Sequence, residues 1–310
     1  MVARKGIEMM KSAALNTGPA RFNRHRLGRR LGRVIFYVVL VLFALLFLSP
    51  MVWMISASLK PEGYVFEYPP RLWVPGAIEF ENYAVAWSQF PFWRALGNTL
   101  TIMLWNMVGG ITSAVLTAYI FARLHFPGRN ALFVLVLSTM MIPSQVTLIP
   151  QYILFRELGW LDSFLPLTVP AFFGGGAFAI FLLRQFFMSI PRDYDDAARI
   201  DGCGTFGILW RIIVPLSLPA IGTLAIFSFM GHWNDFFGPL IYLNSQEKYT
   251  LAIAIRQWQQ VAVMGSGAYR PPLWVHIMAM ATVLTIPPVL VYFFTQRYFI
   301  QGIVISGVKG

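Results

Sequence analysis

Charge is scarce in this sequence. Only 12% of its 310 residues are Asp, Glu, Lys or Arg, against about a quarter in an average soluble domain. So little polar surface cannot coat a globule in water, which excludes a disordered chain and an ordinary soluble enzyme. Acidic residues are scarcer still, 13 against 24 Lys and Arg. Cys203 is the single cysteine, so there is no intrachain disulfide and no cysteine-based metal cluster. The four histidines, His25, His125, His232 and His276, are scattered, with no two at ligand spacing on one helix, so no metal or other cofactor is expected. No Gly-Lys dipeptide occurs. A Gly-x-x-x-x-Gly-Lys phosphate loop is therefore absent, and the chain does not bind ATP in that manner.

Apolar residues make up 57% of the chain and the mean hydropathy is +0.62. Runs bounded by charges give six expected membrane spans: 34–59, 95–122, 131–155, 163–183, 212 to about 243, and about 273–295. Each reaches the ~20 residues that cross a ~30 Å hydrocarbon core. The first is too long for the ~7–15-residue core of a cleaved signal peptide, so Ser56-Ala57-Ser58 is read as part of a retained anchor. The expected class is an all-α polytopic membrane protein.

Charge placement then fixes an expected orientation. With a cytoplasmic N-terminus, seventeen Lys and Arg fall inside and seven outside, as the retention of basic residues in the cytoplasm predicts. Six spans put both termini on that side. The net charge of +11 is then an orientation signal and not a nucleic-acid one, because the basic stretch lacks interleaved aromatics. Residues 1–33 read as a basic cytoplasmic tail, 60–94 as an external loop carrying a short surface helix near 81–87, 244–272 as a second external region, and 297–310 as a cytoplasmic tail. Pro50, Pro143, Pro150, Pro170, Pro215, Pro219, Pro287 and Pro288 lie within or beside the spans, and Gly174-Gly175-Gly176 interrupts the fourth. These residues read equally as ordinary kinks or as a pathway of broken, movable helices.

One internal loop is long and patterned, from Ser189 to Gly204. Pro191 suits a first helical position, and the following carboxylates favour the positive end of a helix dipole. Ala197, Ala198 and Ile200 form a small apolar face, and Gly202 or Gly204 ends the helix in a left-handed conformation. Thr205 is the expected cap of the next helix. Small side chains admit another backbone closely, so the segment reads as a docking knob for a partner protein. A catalytic or metal-binding carboxylate cluster is the rival reading, and it lacks a neighbouring histidine or a nucleophile–base pair. A plain solvated acidic turn is the second rival.

The segment resembles the EAA motif of permease subunits of ABC importers: Glu-Ala-Ala, three residues, Gly, nine residues, Ile, one residue, Leu-Pro. Here it reads Asp196-Ala197-Ala198, Gly202, then Ile212-Ile213-Val214-Pro215. Asp196 replaces the glutamate and Val214 the leucine. Arg199-Ile200-Asp201-Gly202, Trp233-Asn234-Asp235-Phe236-Phe237 and the stretches Gln296–Phe299 and Gly307–Gly310 are similar to the carbohydrate (MalG-like) branch. The resemblance covers 34–310. It implies a type I ABC importer permease fold, with a permease core over 95–296 and a coupling helix near 191–204. Asp195, Asp196, Ala197, Ala198, Arg199, Asp201 and Gly202 would contact a cytoplasmic ATPase dimer. It also implies a second homologous permease subunit, an extracytoplasmic binding protein that delivers a sugar or polyol, and surrounding membrane lipid.

Trp233, Asn234 and Asp235 fall near the outer end of the fifth span. Asp235 reads either as pathway lining or as an interfacial anchor. The alternative function is an ion-gradient-driven secondary transporter or channel. It needs ionisable relays inside the spans, and only His232 with Asp235 offers one.

Overall fold

The computed structural model describes residues 24–76, 78–264 and 273–307, with side chains described for 32–76, 78–262 and 273–296. The chain divides into two compact units, Met1–Trp53 and Met54–Gly310. Among the described residues the secondary structure is helical, without strands.

The long first helix, α1 (Arg24–Ser58), carries Pro50 inside it. Within the first unit its large apolar side chains from Val34 to Leu48 are exposed, Phe47 at 77%. A helix apolar on all sides and uncovered by protein is one made for lipid. The described part of this helix runs from Arg24, inside the stretch read as a tail, where Arg and Leu are good helix formers. Residues 1–23 lie outside the described residues.

In the second unit α2 (Glu81–Gln89) lies in the loop that follows the first span, close to its expected position. The second span is α3 (Phe92–Arg123), 32 residues without interruption and about 48 Å long at ~1.5 Å per residue. The third is not one helix. Its limbs, α4 (Arg129–Ser138, continued by a 3-10 turn to Met141) and α5 (Ser144–Glu157), meet at 96°. Pro143 holds Ile142 extended, as the residue before a proline prefers, and no helix runs through that joint. The fourth span consists of α6 (Leu165–Thr168), a 3-10 turn to Phe172, a glycine break and α7 (Ala177–Ser189). It runs past the expected end at Leu183 because Arg184 is accommodated within the fold. The guanidinium lies 4.0 Å over the Phe133 ring, and its Nε–H donates to the Phe121 carbonyl at 3.3 Å.

After α8 (Asp193–Ile200) the fifth span starts with α9 (Thr205–Ile208) and winds through a π-helical turn to Leu216. It bends by 76° into α10 (Leu218–Trp233). The bend falls at Ser217, between Pro215 and Pro219, where Pro219 has no N–H to give the carbonyl of Pro215. The span was expected to continue to about 243. Instead the helix stops at Trp233, and a short α11 (Phe237–Tyr242) follows. Then come α12 (Leu251–Met264) and the last span, α13 (Trp274–Gly307), which stays helical into the expected tail. Among the described residues four helical spans are long and apolar enough to cross a membrane, and up to six if each bent pair counts as one. This is a multi-pass membrane protein.

The broken fourth span shows how freed backbone groups are satisfied in an apolar surrounding. The carbonyl of Leu167 accepts from Asn106 Nδ2 and that of Ala171 from Ser113 Oγ, both donors coming from α3. At the break Gly175 takes φ +64°, and a Cβ there would stand 2.3 Å from the Gly110 carbonyl oxygen. Only glycine permits that crossing.

Two buried clusters occupy opposite ends of α3. One gathers Ala114, Ala118 and Ala122 of α3 with Leu183 and Phe187 of α7, and with Ile208 and Ile213 of the fifth span. The other gathers Ala86, Phe90, Ala95, Trp233, Leu251 and Met280. Loops are pinned by specific bonds. Glu62 caps α13 from a distance, its two carboxylate oxygens accepting from the N–H groups of Trp274 (3.2 Å) and Val275 (3.1 Å). Asp162, in the turn before α6, accepts from the backbone N–H of Asn244 (3.0 Å) and Ser245 (2.9 Å), from the Ser245 hydroxyl (2.5 Å) and from Lys248 Nζ (2.9 Å). The Ser245 hydroxyl, then Lys248 and the two N–H groups, hold its carboxyl well below the usual aspartate range.

Candidate functional site

The patterned loop folds as a short helix joined directly to two spans. Helix α8 starts at Asp193 and not at Pro191, and the Arg192 carbonyl accepts from the N–H groups of Asp195 (2.8 Å) and Asp196 (3.0 Å). Asp193, Asp195 and Asp196 fill the first turn, as the dipole favours. Its exit is a Schellman closure. Gly202 N–H donates to the Arg199 carbonyl (3.0 Å) and Cys203 N–H to that of Ala198 (2.9 Å), with Gly202 at φ +81°. Of the two glycines considered, Gly202 takes the left-handed role. Gly204 is extended and precedes α9, so Thr205 is the first helical residue and not the cap.

The expected apolar face is split. Ala198 points inward and is buried in the cluster between α3 and α7, one turn from Asp195, which is buried too. Ala197 and Ile200 lie on the other side with Asp193, Asp196, Arg199, Asp201 and Gly202, all exposed. Ile200 is 88% exposed, and Phe206 at the start of α9 is 70% exposed. Both apolar side chains are thus uncovered, Ile200 among carboxylates, and neither belongs to the core.

The inward side is held by residues that sequence reasoning passed over. Arg123, the last residue of α3, pairs with Asp195 at 3.5 Å and donates from Nη2 to the Ile190 carbonyl at 2.9 Å. Tyr119, one turn earlier, donates from its hydroxyl to the Thr205 carbonyl at 3.1 Å. One end of α3 thus grips the chain before, within and after α8. In the sequence Arg123 is one more arginine on the basic side of a span, and nothing local distinguishes it.

At the other end, Trp233 and Asn234 line a cavity of about 700 Å³ between α10, α12 and α13. Trp233 Nε1–H donates to the Leu284 carbonyl at 3.3 Å, and its ring stacks on Phe229 at 5.6 Å. Asp235 does not line this cavity. Its carboxylate accepts from the Gly238 N–H at 3.1 Å and closes the turn into α11. Arg256, Gln259 and Thr285 supply the rest of the polar wall. The first two were read only as part of an external region, although their spacing of three places them on one face of a helix. Among the described residues no group of three or more His, Cys, Asp or Glu is placed to hold a metal ion.

Comparison with known proteins agrees with this architecture. Residues 110–305 match the family model described as "Binding-protein-dependent transport system inner membrane component". The chain is 34% identical over 276 residues to the sn-glycerol-3-phosphate transport system permease protein UgpE of Yersinia enterocolitica, covering 87% of this chain and 95% of that protein. It is 32% identical over 283 residues to the arabinooligosaccharides transport system permease protein AraQ of Bacillus subtilis, covering 91% and 96%. The polygalacturonan/rhamnogalacturonan permease protein YtcP of the same organism is 32% identical over 289 residues, covering 91% and 99%. Among solved structures, a chain of a bacterial ABC transporter involved in import of the acidic polysaccharide alginate superposes with a TM-score of 0.76 at 26% identity, covering 88% of this chain and 98% of that one. Relatives above 30% identity along nearly their whole length, with a family match over most of the chain, make this protein a member of the binding-protein-dependent transport system inner membrane components.

Proposed function

We propose that this chain is the permease subunit of an ATP-driven importer for a carbohydrate or polyol, and that α8 is the helix through which a separate ATPase drives it. The observation that carries the reading is the two-sided build of α8. Asp195 and Ala198 anchor it to α3 and α7, while Asp196, Ala197 and Ile200 face outward. A partner that displaces the outward face moves α7 and the fifth span with it, because α8 is joined to both by only a few residues. The bends at 142–143 and 217 are joints at which such a displacement becomes inward or outward opening.

Without a phosphate loop in the chain, ATP hydrolysis belongs to partner chains. The relatives are named for glycerol phosphate, arabinooligosaccharides and polygalacturonan, all polyhydroxylated cargo, which supports the substrate class. A second permease completes the pathway, its neighbour the large exposed apolar surface of this chain. An external binding protein docks on 60–94 and 244–272, with 95–296 as the permease core. Both termini are cytoplasmic, following the basic asymmetry. Family membership sets the gradient-driven alternative aside.

The test uses the outward and inward faces separately. Ile200→Glu inserts normally but loses ATPase co-purification and ATP-driven uptake. Ala198→Arg forces a long cation into a closed cluster and lowers the amount of folded protein instead. An Ile200→Cys variant in a Cys203→Ser background cross-links to the ATPase. Full uptake and normal co-purification in Ile200→Glu, with no cross-link, refute the coupling role.

A further inference from the structure

The cavity beneath Trp233 has a definite chemistry. At about 700 Å³ it falls within the ~300–1,000 Å³ that accommodates a small organic ligand. One wall is the Trp233 indole, which cannot rotate freely because its N–H is bonded to Leu284 and its face is stacked on Phe229. A fixed aromatic plane suits the apolar face of a sugar ring or polyol chain. Asn234, Gln259 and Thr285 bring amide and hydroxyl groups that exchange hydrogen bonds with hydroxyls.

Among the described residues the cavity wall carries a single charge, and it is positive. Arg256 lines the space, and among the described residues it has no ion pair. The nearest acid in sequence to the cavity's α10 wall, Asp235, is occupied with the Gly238 N–H. What sets Arg256 apart is its place, on the wall of a cavity lined otherwise by aromatic, aliphatic and uncharged polar side chains. A guanidinium stays charged at every physiological pH and presents a planar fork that fits a carboxylate or phosphate.

We propose that this cavity is a subsite for an anionic polyhydroxylated unit, a sugar carboxylate or a polyol phosphate, with Arg256 binding the anion, Trp233 lying against the carbon skeleton, and Asn234 and Gln259 meeting its hydroxyls. The inference rests on the importer reading and narrows its substrate class. It makes Arg256 a specificity-determining residue, acting on which cargo passes rather than on whether ATP is coupled.

The test is uptake by the complete transporter, with its binding protein and ATPase, in proteoliposomes. The probes are an oligogalacturonate, glycerol 3-phosphate and a neutral galacto-oligosaccharide. Wild type takes up one of the two anionic probes in preference to the neutral one, and which of them it takes separates carboxylate from phosphate. In Arg256→Gln the anionic-to-neutral uptake ratio falls about tenfold to a hundredfold, the worth of one charged hydrogen-bonding partner. Arg256→Lys, which keeps the charge but not the fork, falls between. An unchanged ratio in Arg256→Gln overturns the proposal, and so does an equal loss of all probes, which would make Arg256 a purely structural contact. Wild-type preference for the neutral probe overturns the proposal and leaves the importer reading standing. Absence of ATP-dependent uptake of every probe removes both.

Discussion

Breaking the Arg123–Asp195 pair should both destabilise the permease and detach α8 from α3. The two side chains are only 3% and 9% exposed, so the pair belongs to the buried regime and not to the surface one, where such pairs are worth about 0–1 kcal/mol. Removing one partner leaves the other charge buried and uncompensated, at a cost of about 3–5 kcal/mol. Asp195→Leu strands the guanidinium, although Arg123 Nη2 keeps its bond to the Ile190 carbonyl. Arg123→Met strands the carboxylate and also leaves that carbonyl without its donor, which adds about 1–3 kcal/mol. Replacing both charges together removes the stranded ion, so the double variant should recover most of the loss and retain only the orphaned-carbonyl cost.

The assay is denaturant unfolding of the four forms in purified transporter, followed by tryptophan fluorescence, alongside ATP-driven uptake. Non-additivity above about 1 kcal/mol is the expected signature of a direct pair. Uptake should stay low in the double variant even where stability returns, because the apolar replacements lack the directional hold that the ion pair and the Arg123 bond to Ile190 give α8 at the end of α3. Single variants within about 0.5 kcal/mol of native stability, or strictly additive losses, would refute the reasoning.

The remaining predictions concern the break and the loops. Gly175→Ala combines a left-handed backbone with a Cβ 2.3 Å from the Gly110 oxygen and 2.7 Å from Ala114 Cβ. It should cost about 2–5 kcal/mol. Gly222→Ala, in open space on a helix, should be neutral or stabilising by up to about 1 kcal/mol. Thermal unfolding of the two variants side by side checks the contrast. The Asp162 clamp should be insensitive to pH through the physiological range. Its carboxyl is depressed in the folded state, so its contribution is complete above the unfolded value of about 4 and declines only as pH falls below that. The stability difference between native protein and Asp162→Ala should therefore be constant from pH 5 to 8 and shrink only below about pH 4. A difference that already changes between pH 6 and 7 would mean another group controls the loop.

The sequence alone determined that this chain lives in lipid, where its apolar spans lie, and which loop carries the EAA-like motif. Those properties are local. Hydrophobic run length, charge at the run ends and the spacing from Asp196 to Gly202 to Pro215 are read along the chain without knowing what touches what. Two joints carried a mark in Pro143 and in the pair Pro215 and Pro219, but Pro50, Pro150, Pro287 and Pro288 lie inside helices that continue, so proline alone did not say which spans break.

Direction was another matter. Asp195 and Asp196 were expected together as ATPase contacts, but one faces Arg123 and the other faces out, a difference of one residue on a helix whose inward side is chosen by α3 and α7. Nor could Ala198 be told from Ala197, or Arg184 be seen as a residue that continues a helix instead of ending it. Arg256 joined Trp233 only through the packing of α12 against α10 and α13. Each of these depends on pairs distant in sequence. A buried charge needs its counter-charge, and a cavity its walls, from wherever the chain folds back, so tertiary structure alone decided them.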